Sequence, residues 1–181
     1  MYHEAAGQYE AGILLYRRAA EAAGDGPGRA EALALAGVAS LKAGALAEAR
    51  GLLLEASELR PHSALVQYYL GRLFELEGAL KEARQRYLKA AELSPAWPDP
   101  VVRAGALMNR EGEYAASISL LHKAMPIAGR LAEYHRELST AYLGLLSHLR
   151  SDPSDPAAWE ALEAAGLAGI GSREALLDEL R

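Results

Sequence analysis

The sequence predicts an all-α chain, an α-solenoid of antiparallel helix pairs with a degenerate helical C-terminal cap, and three observations carry that prediction. Ala and Leu supply about 70 of the 181 residues, whereas Val, Ile and Thr together give nine, so helix formers far outnumber the β-branched residues that strands favour. Glycine recurs with a period of 34, at Gly37, Gly71 and Gly105 and again seven residues later at Gly44, Gly78 and Gly112. A fixed period of this length is the mark of one supersecondary unit stacked repeatedly on itself. Apolar residues Leu70, Leu73, Phe74 and Leu76 fall at helical spacing, stop at Glu77-Gly78-Ala79, and resume with Tyr87, Leu88 and Ala91. That pattern describes two helices joined by a short turn.

The elements follow in order. Residues 7–23, with Gly7, Tyr9, Tyr16 and Ala19, read as the second helix of a repeat whose first helix is mostly missing, as truncation of a longer protein would leave it. The loop Gly24-Asp25-Gly26-Pro27-Gly28 completes this partial unit, 1–29. Three full units occupy 30–63, 64–97 and 98–131. They share columns of small residues (Ala49, Ala83, Ser117 and Ala56, Ala90, Ala124) and of large ones (Leu53, Tyr87, Leu121). The second glycine of each unit suits a left-handed helix end. Gly71 and Ala83 suit a crossing where a bulky side chain would force the backbones apart. Pro61 and Pro95 end the second helix of their units, because proline has no amide to donate and its ring clashes with the preceding turn; Gly129 takes that place in the third. Residues 132–155 read as a long helix, with Leu138 and Tyr142 in phase, and a linker. In Ser151-Asp152-Pro153-Ser154-Asp155-Pro156, Asp155 can cap a new helix and Pro156 can open it. Residues 156–181 read as a degenerate repeat or capping helices. Trp159 and Leu162 mimic a repeat start, Gly166 to Gly171 interrupt it, and Ser172 caps a last helix through Leu180. A mobile tail is the alternative.

Composition excludes several classes of function. The chain has no cysteine, hence no disulfide and no thiolate chemistry. A net charge of −5 argues against nucleic acid, whose binding rests on a basic face. No apolar run approaches the roughly 18 residues that span a bilayer. The histidines at 3, 62, 122, 135 and 148 form no HExxH and no i, i+4 pair, so they read as solvated or packing groups rather than metal ligands. Gly24, Gly26 and Gly28 precede no Gly-Lys-Ser/Thr triplet and read as a hinge. Glu133 and Glu137 share a helix face but define no acid–base pair across a cleft. The chain is therefore read as a non-enzyme with no cofactor and no metal.

The residues carry a resemblance to the tetratricopeptide repeat family, whose pattern is W-x₂-L-G-x₂-Y, A-x₃-F and P with a period of about 34. The unit at 64–97 follows it with Leu70, Gly71, Phe74, Ala83, Tyr87 and Pro95, and departs only at Gln67, where the pattern has tryptophan. The unit at 30–63 gives Leu33, Ala36, Gly37, Ala49, Leu53 and Pro61, with Ser40 where an aromatic is usual. The unit at 98–131 gives Val101, Ala104, Gly105, Met108, Ser117 and Leu121.

The resemblance implies that first helices line a groove for an extended peptide or a partner helix. Its groove positions fall on Leu35, Val38 and Lys42, then Tyr68, Tyr69, Arg72 and Glu75, then Arg103, Asn109 and Arg110, then Arg136 and Thr140. Of these, Tyr68, Tyr69, Arg72, Arg103, Asn109, Arg110 and Arg136 are the candidate partner-binding residues, since tyrosine and arginine dominate binding hot spots. Four arginines point to an acidic or carboxylate-bearing segment. Solvated arginines and packed tyrosines are the plain alternative. The lysine and asparagine with which one subclass clamps a C-terminal carboxylate are absent, Ala34 and Val38 standing in their places.

The function expected is that of an adaptor or scaffold for a protein or peptide. One rival is a self-assembling module, in which Ile13, Leu14, Tyr16 and Ala20 of the N-terminal helix form an apolar edge for a homo-oligomer. The other is a peptide or small-molecule sensor domain of a larger regulator. The default compartment is the cytoplasm, a default that an exported leader would overturn. An Arg-to-Lys ratio of 15 to 4 hints at a GC-rich, bacterial coding sequence.

Overall fold

The computed structural model of the chain describes residues 2–26 and 28–164, with side chains from Gln8 onward. Among the described residues there are nine α-helices and no strand: α1 (Tyr2–Ala22), α2 (Gly28–Ala43), α3 (Leu46–Leu59), α4 (Ala64–Leu76), α5 (Leu80–Leu93), α6 (Pro98–Arg110), α7 (Tyr114–Ala128), α8 (Ala132–Ser151) and α9 (Pro156–Ala164). The chain is all-α, built of antiparallel helix hairpins. It divides into two compact units between Pro95 and Ala96.

In the first unit α1 packs on α2, α2 on α3, and α4 on α5. The core alternates small and large side chains: Ala20 of α1, Leu33 and Ala36 of α2, Leu52, Leu53 and Ala56 of α3, and Val66, Leu70 and Leu73 of α4. Each buried leucine contributes about 1.5–3 kcal/mol by leaving water, and the alanines let the backbones come close enough for leucines to meet. Gln67, at the departure from the aromatic pattern, is fully buried. Its amide nitrogen donates to the Pro61 carbonyl at 3.0 Å and to Ser57 Oγ at 3.4 Å, and its carbonyl oxygen accepts from Arg86 at 2.9 Å. A polar hub thus replaces an aromatic plug, and a buried polar side chain is tolerated because it is bonded.

The turns inside the hairpins are closed by backbone chemistry. Gly44, Gly78 and Gly112 have φ of 79°, 80° and 79°. The amides of Ala45, Ala79 and Glu113 reach back to the carbonyls of Ser40, Phe74 and Met108, each at 2.9 Å. This Schellman closure satisfies carbonyls that the helix end would leave open, and it requires a residue at ease in the left-handed region.

In the second unit α6 begins at Pro98, a position where the missing amide costs nothing. Helix α7 packs on α6 and α8, and α9 packs on α7. Ile118, Ala141, Leu145, Leu149, Trp159 and Leu162 form one cluster. Asp155 accepts from the Ala157 amide at 2.9 Å and the Ala158 amide at 3.4 Å, so it caps α9, and Pro156 opens it as the sequence predicts. The Gly166 to Gly171 interruption and the Ser172-capped helix lie outside the described residues. No helix among the described residues is long and apolar enough to cross a membrane.

Candidate functional site: the exposed faces of the first helices

The sequence-predicted residues fall in both units. In the first, Tyr68 and Tyr69 are adjacent on α4. Tyr68 is only 8% exposed. Its ring stands edge-on to Tyr69 with centroids 5.2 Å apart, and tilts over Tyr87 of α5 at 5.5 Å. Tyr69 is half-buried and leans on the Leu33–Leu70 core. Much of the expected aromatic surface is therefore spent inside the unit. Arg72, also on α4, is half-buried and has no hydrogen bond or ion pair among the described residues. Lys42 at the end of α2 is exposed and likewise unpaired among them. Glu75 accepts a hydrogen bond from the Tyr87 hydroxyl at 2.6 Å, which fixes that carboxylate against α5.

In the second unit, Arg103 of α6 lies 3.9 Å from Glu133 of α8, and Arg136 pairs with Glu133 at 3.2 Å and with Glu137 at 3.1 Å. Asn109 is buried. Its amide nitrogen donates to the Glu137 backbone carbonyl at 2.8 Å and to the Glu137 carboxylate at 3.3 Å, tying α6 to α8. Its side-chain oxygen is buried with no partner among the described residues. Arg110 is exposed at the end of α6. Glu133 and Glu137, which sequence reasoning weighed only as an acid–base pair, are thus the groups that hold two of the arginines. Their signal was the spacing of Glu133 and Arg136, three residues apart on one helix face.

Three histidines take packing or turn roles. His122 of α7 meets the Tyr142 hydroxyl of α8 at 2.5 Å, His135 meets the Gly129 carbonyl at 2.8 Å, and His148 meets Asp155 at 2.9 Å. Burial, with Tyr134 nearby, holds the Tyr142 hydroxyl above the ordinary phenol range. Among the described residues no group of three or more His, Asp or Glu side chains gathers as a metal site would require.

Helix α1 differs from the apolar edge that its sequence predicts. Ile13 and Ala20 are buried and Tyr16 packs on the core, all turned inward. Leu14, 55% exposed, is the one member of that set left outside, and it is joined by Leu15 at 66%. The period of the helix explains this, because 13, 16 and 20 share a face that 14 does not.

No family model matches the chain, and no curated protein matches it. Solved structures do. A crystal structure of MamA is similar with a TM-score of 0.68 at 21% identity, over 91% of this chain and 90% of that one. A structure of MamA AMB-1 is similar with a TM-score of 0.64 at 22% identity, over 94% and 93%. A Podospora anserina putative kinesin light chain with nearly identical TPR-like repeats is similar with a TM-score of 0.57 at 17% identity, over 93% and 94%. These likenesses show the fold, which is that of tetratricopeptide-like repeat proteins.

Proposed function

We propose that the protein is a non-catalytic interaction module, an adaptor or scaffold that takes a protein or peptide segment on the exposed faces of its first helices, with the cytoplasm as its default compartment. The tetratricopeptide-like fold supports a protein-binding role in general terms. The specific observation that favours this surface is Arg72. A guanidinium half-withdrawn from water, with no carboxylate partner among the described residues, is a donor fork waiting for one; Tyr69, three residues before it on α4, offers contact area, and Lys42 is a second unpaired positive charge in the same unit. An acidic segment, or one that ends in a free carboxylate, complements that set.

In the second unit the arginines at 103 and 136 are already met by Glu133 and Glu137. A ligand there has to displace carboxylates rather than fill an empty place, so the preference for an acidic ligand rests chiefly on the first unit.

The test is selection of random dodecapeptides on the full chain, followed by binding measurements on Arg72→Glu and Arg110→Glu variants of equal helicity. Peptides enriched in Asp, Glu or a free C-terminus that lose most of their affinity for the Arg72 variant support the reading. Failure to enrich any peptide, or peptides that bind both variants as well as the parent, sinks it.

A further inference from the structure

Helix α1 carries an outward stripe that none of the roles above uses. Ile13, Tyr16 and Ala20 pack inward, while Leu14 and Leu15 face solvent at 55% and 66% exposure. Glu10 lies four residues before Leu14 and Arg18 four residues after it, and both are exposed. Residues at i−4, i and i+4 share one helix face, and at about 1.5 Å rise per residue the two charges stand about 6 Å on either side of the leucine. Neither charge has a partner among the described residues. The adjacent Arg17, by contrast, is met by Glu48 of α3 at 3.2 Å. Glu10, Leu14 and Arg18 themselves line an open depression, whose far side is the Arg17–Glu48 pair.

The order acid, apolar, base at equal spacing is complemented by the same order reversed, which the helix itself supplies when it runs antiparallel. A uniformly acidic partner would meet Glu10 with repulsion, and a uniformly basic one would meet Arg18. A second copy of the same helix, reversed, meets both correctly. We infer that α1 is a self-docking surface, on which two copies of the chain pair antiparallel about a two-fold axis through Leu14. Leu14 then lies on Leu14 of the other copy, and Glu10 of each copy faces Arg18 of the other. The arrangement is isologous and closes at two copies. A net charge of −5 per chain opposes association in general, so the local pairing has to supply the attraction, and the dimer is expected to weaken as salt screens it. The inference is independent of the peptide-binding faces.

Sedimentation equilibrium of the full 181-residue chain at low salt, over a wide concentration range, measures it directly. The expected mass rises from 19.3 kDa toward twice that value. Glu10→Arg and Arg18→Glu each place like charges at both ends of the pair, so each weakens the dimer by about tenfold or more. The double variant Glu10→Arg/Arg18→Glu restores complementarity, with the two charges exchanged, and recovers the parental association. Leu14→Glu abolishes it. Circular dichroism checks that all four variants keep the helicity of the parent chain. A monomer at every concentration overturns the inference and leaves the stripe to a partner of other chemistry. A dimer indifferent to the single swaps, or one that the double swap does not rescue, overturns it equally.

Discussion

Gly71 of α4 lies flat against the ring of Tyr87 of α5: a Cβ at position 71 would stand 2.7 Å from both Cδ1 and Cε1 of the tyrosine. The same relation recurs one period earlier between Gly37 and Leu53, where the approach is again 2.7 Å, and one period later between Gly105 and Leu121, at 3.0 Å. The first glycine column is thus a seat for the large column of the partner helix, and the tyrosine has the least room to give. Its ring is fully buried, tilts against Tyr68, and is held at the hydroxyl by Glu75. Overpacking such a site costs about 1–3 kcal/mol, against about 1 kcal/mol that alanine gains over glycine in a helix interior. Gly71→Ala is therefore expected to lower unfolding stability by up to about 2 kcal/mol, measured by urea denaturation. An unchanged midpoint would show that Tyr87 can shift.

Two further glycines separate crowding from backbone conformation. Gly51 sits on the exposed side of α3, where an added methyl would meet nothing within 4 Å, and its φ is not positive. Gly78 also has open space around it, but its φ is 80°. Gly51→Ala is expected to raise stability by about 0.5–1 kcal/mol, because only the entropy of the glycine is lost. Gly78→Ala is expected to lower it by about 1–2 kcal/mol, because a Cβ is strained in the left-handed region. The same denaturation experiment reads both, and equal shifts for the two would contradict the assigned turn geometry.

Phe74, the one phenylalanine of the chain, packs on the first core and is flanked by two guanidinium groups, with Arg50 of α3 5.7 Å and Arg86 of α5 5.9 Å from the ring centre. Arg50 is in turn held by Glu77 through Nε at 3.1 Å and through a second, closer contact. Phe74→Leu keeps most of the apolar volume but removes the ring face from both cations, each worth about 0.5–1 kcal/mol at an exposed site. The expected loss is about 1–2 kcal/mol. If Arg50→Gln and Arg86→Gln in the Phe74→Leu background cost as much as they do in the parent, the ring contacts contribute nothing.

The period of 34 makes the hairpins and their glycine turns legible, and the local Ser151–Pro156 pattern the Asp155 cap, because each depends on residues close in sequence or on a column repeated three times. The state of the candidate site was less so. How much of the Tyr68 ring is left exposed depends on Tyr87, 19 residues after it, which the ring tilts over. Whether Arg103 is available is decided by Glu133, on a helix two elements later. Gln67 departs from the aromatic pattern because its three partners, drawn from α3, the following loop and α5, lie outside its own helix. Residue type and spacing report which face of a helix a side chain occupies, and only the neighbouring helices decide whether it is still available there.

The Asp155 clasp on α9 is expected to act as an acid-sensitive joint in the second unit. Asp155 accepts from His148 at 2.9 Å with one oxygen and caps α9 with the other, and the His148 hydrogen bond, followed by the cap amides, holds its carboxyl below the ordinary range. Asp152 is held low as well, by Ser154, whose hydroxyl donates at 2.7 Å and whose amide donates at 3.1 Å. A carboxyl with a depressed folded value contributes stability that is present above its unfolded value of about 3.9 and is lost as pH falls through the folded one. Docking of α9 should therefore hold from neutral pH down to about 4 and loosen below it. Trp159 reports this directly, since it is buried and its indole nitrogen donates to the Pro153 carbonyl at 2.9 Å. In a Trp97→Phe background, which removes the other indole, emission should shift to the red as pH drops below about 4. Asp155→Asn keeps an oxygen that can cap the helix but gives up the charge facing His148. It should start from a looser α9 at neutral pH and show a smaller change on acidification. If the acid transition of Asp155→Asn overlays that of the parent, the pH dependence belongs to other carboxylates and the clasp is not what holds α9 in place.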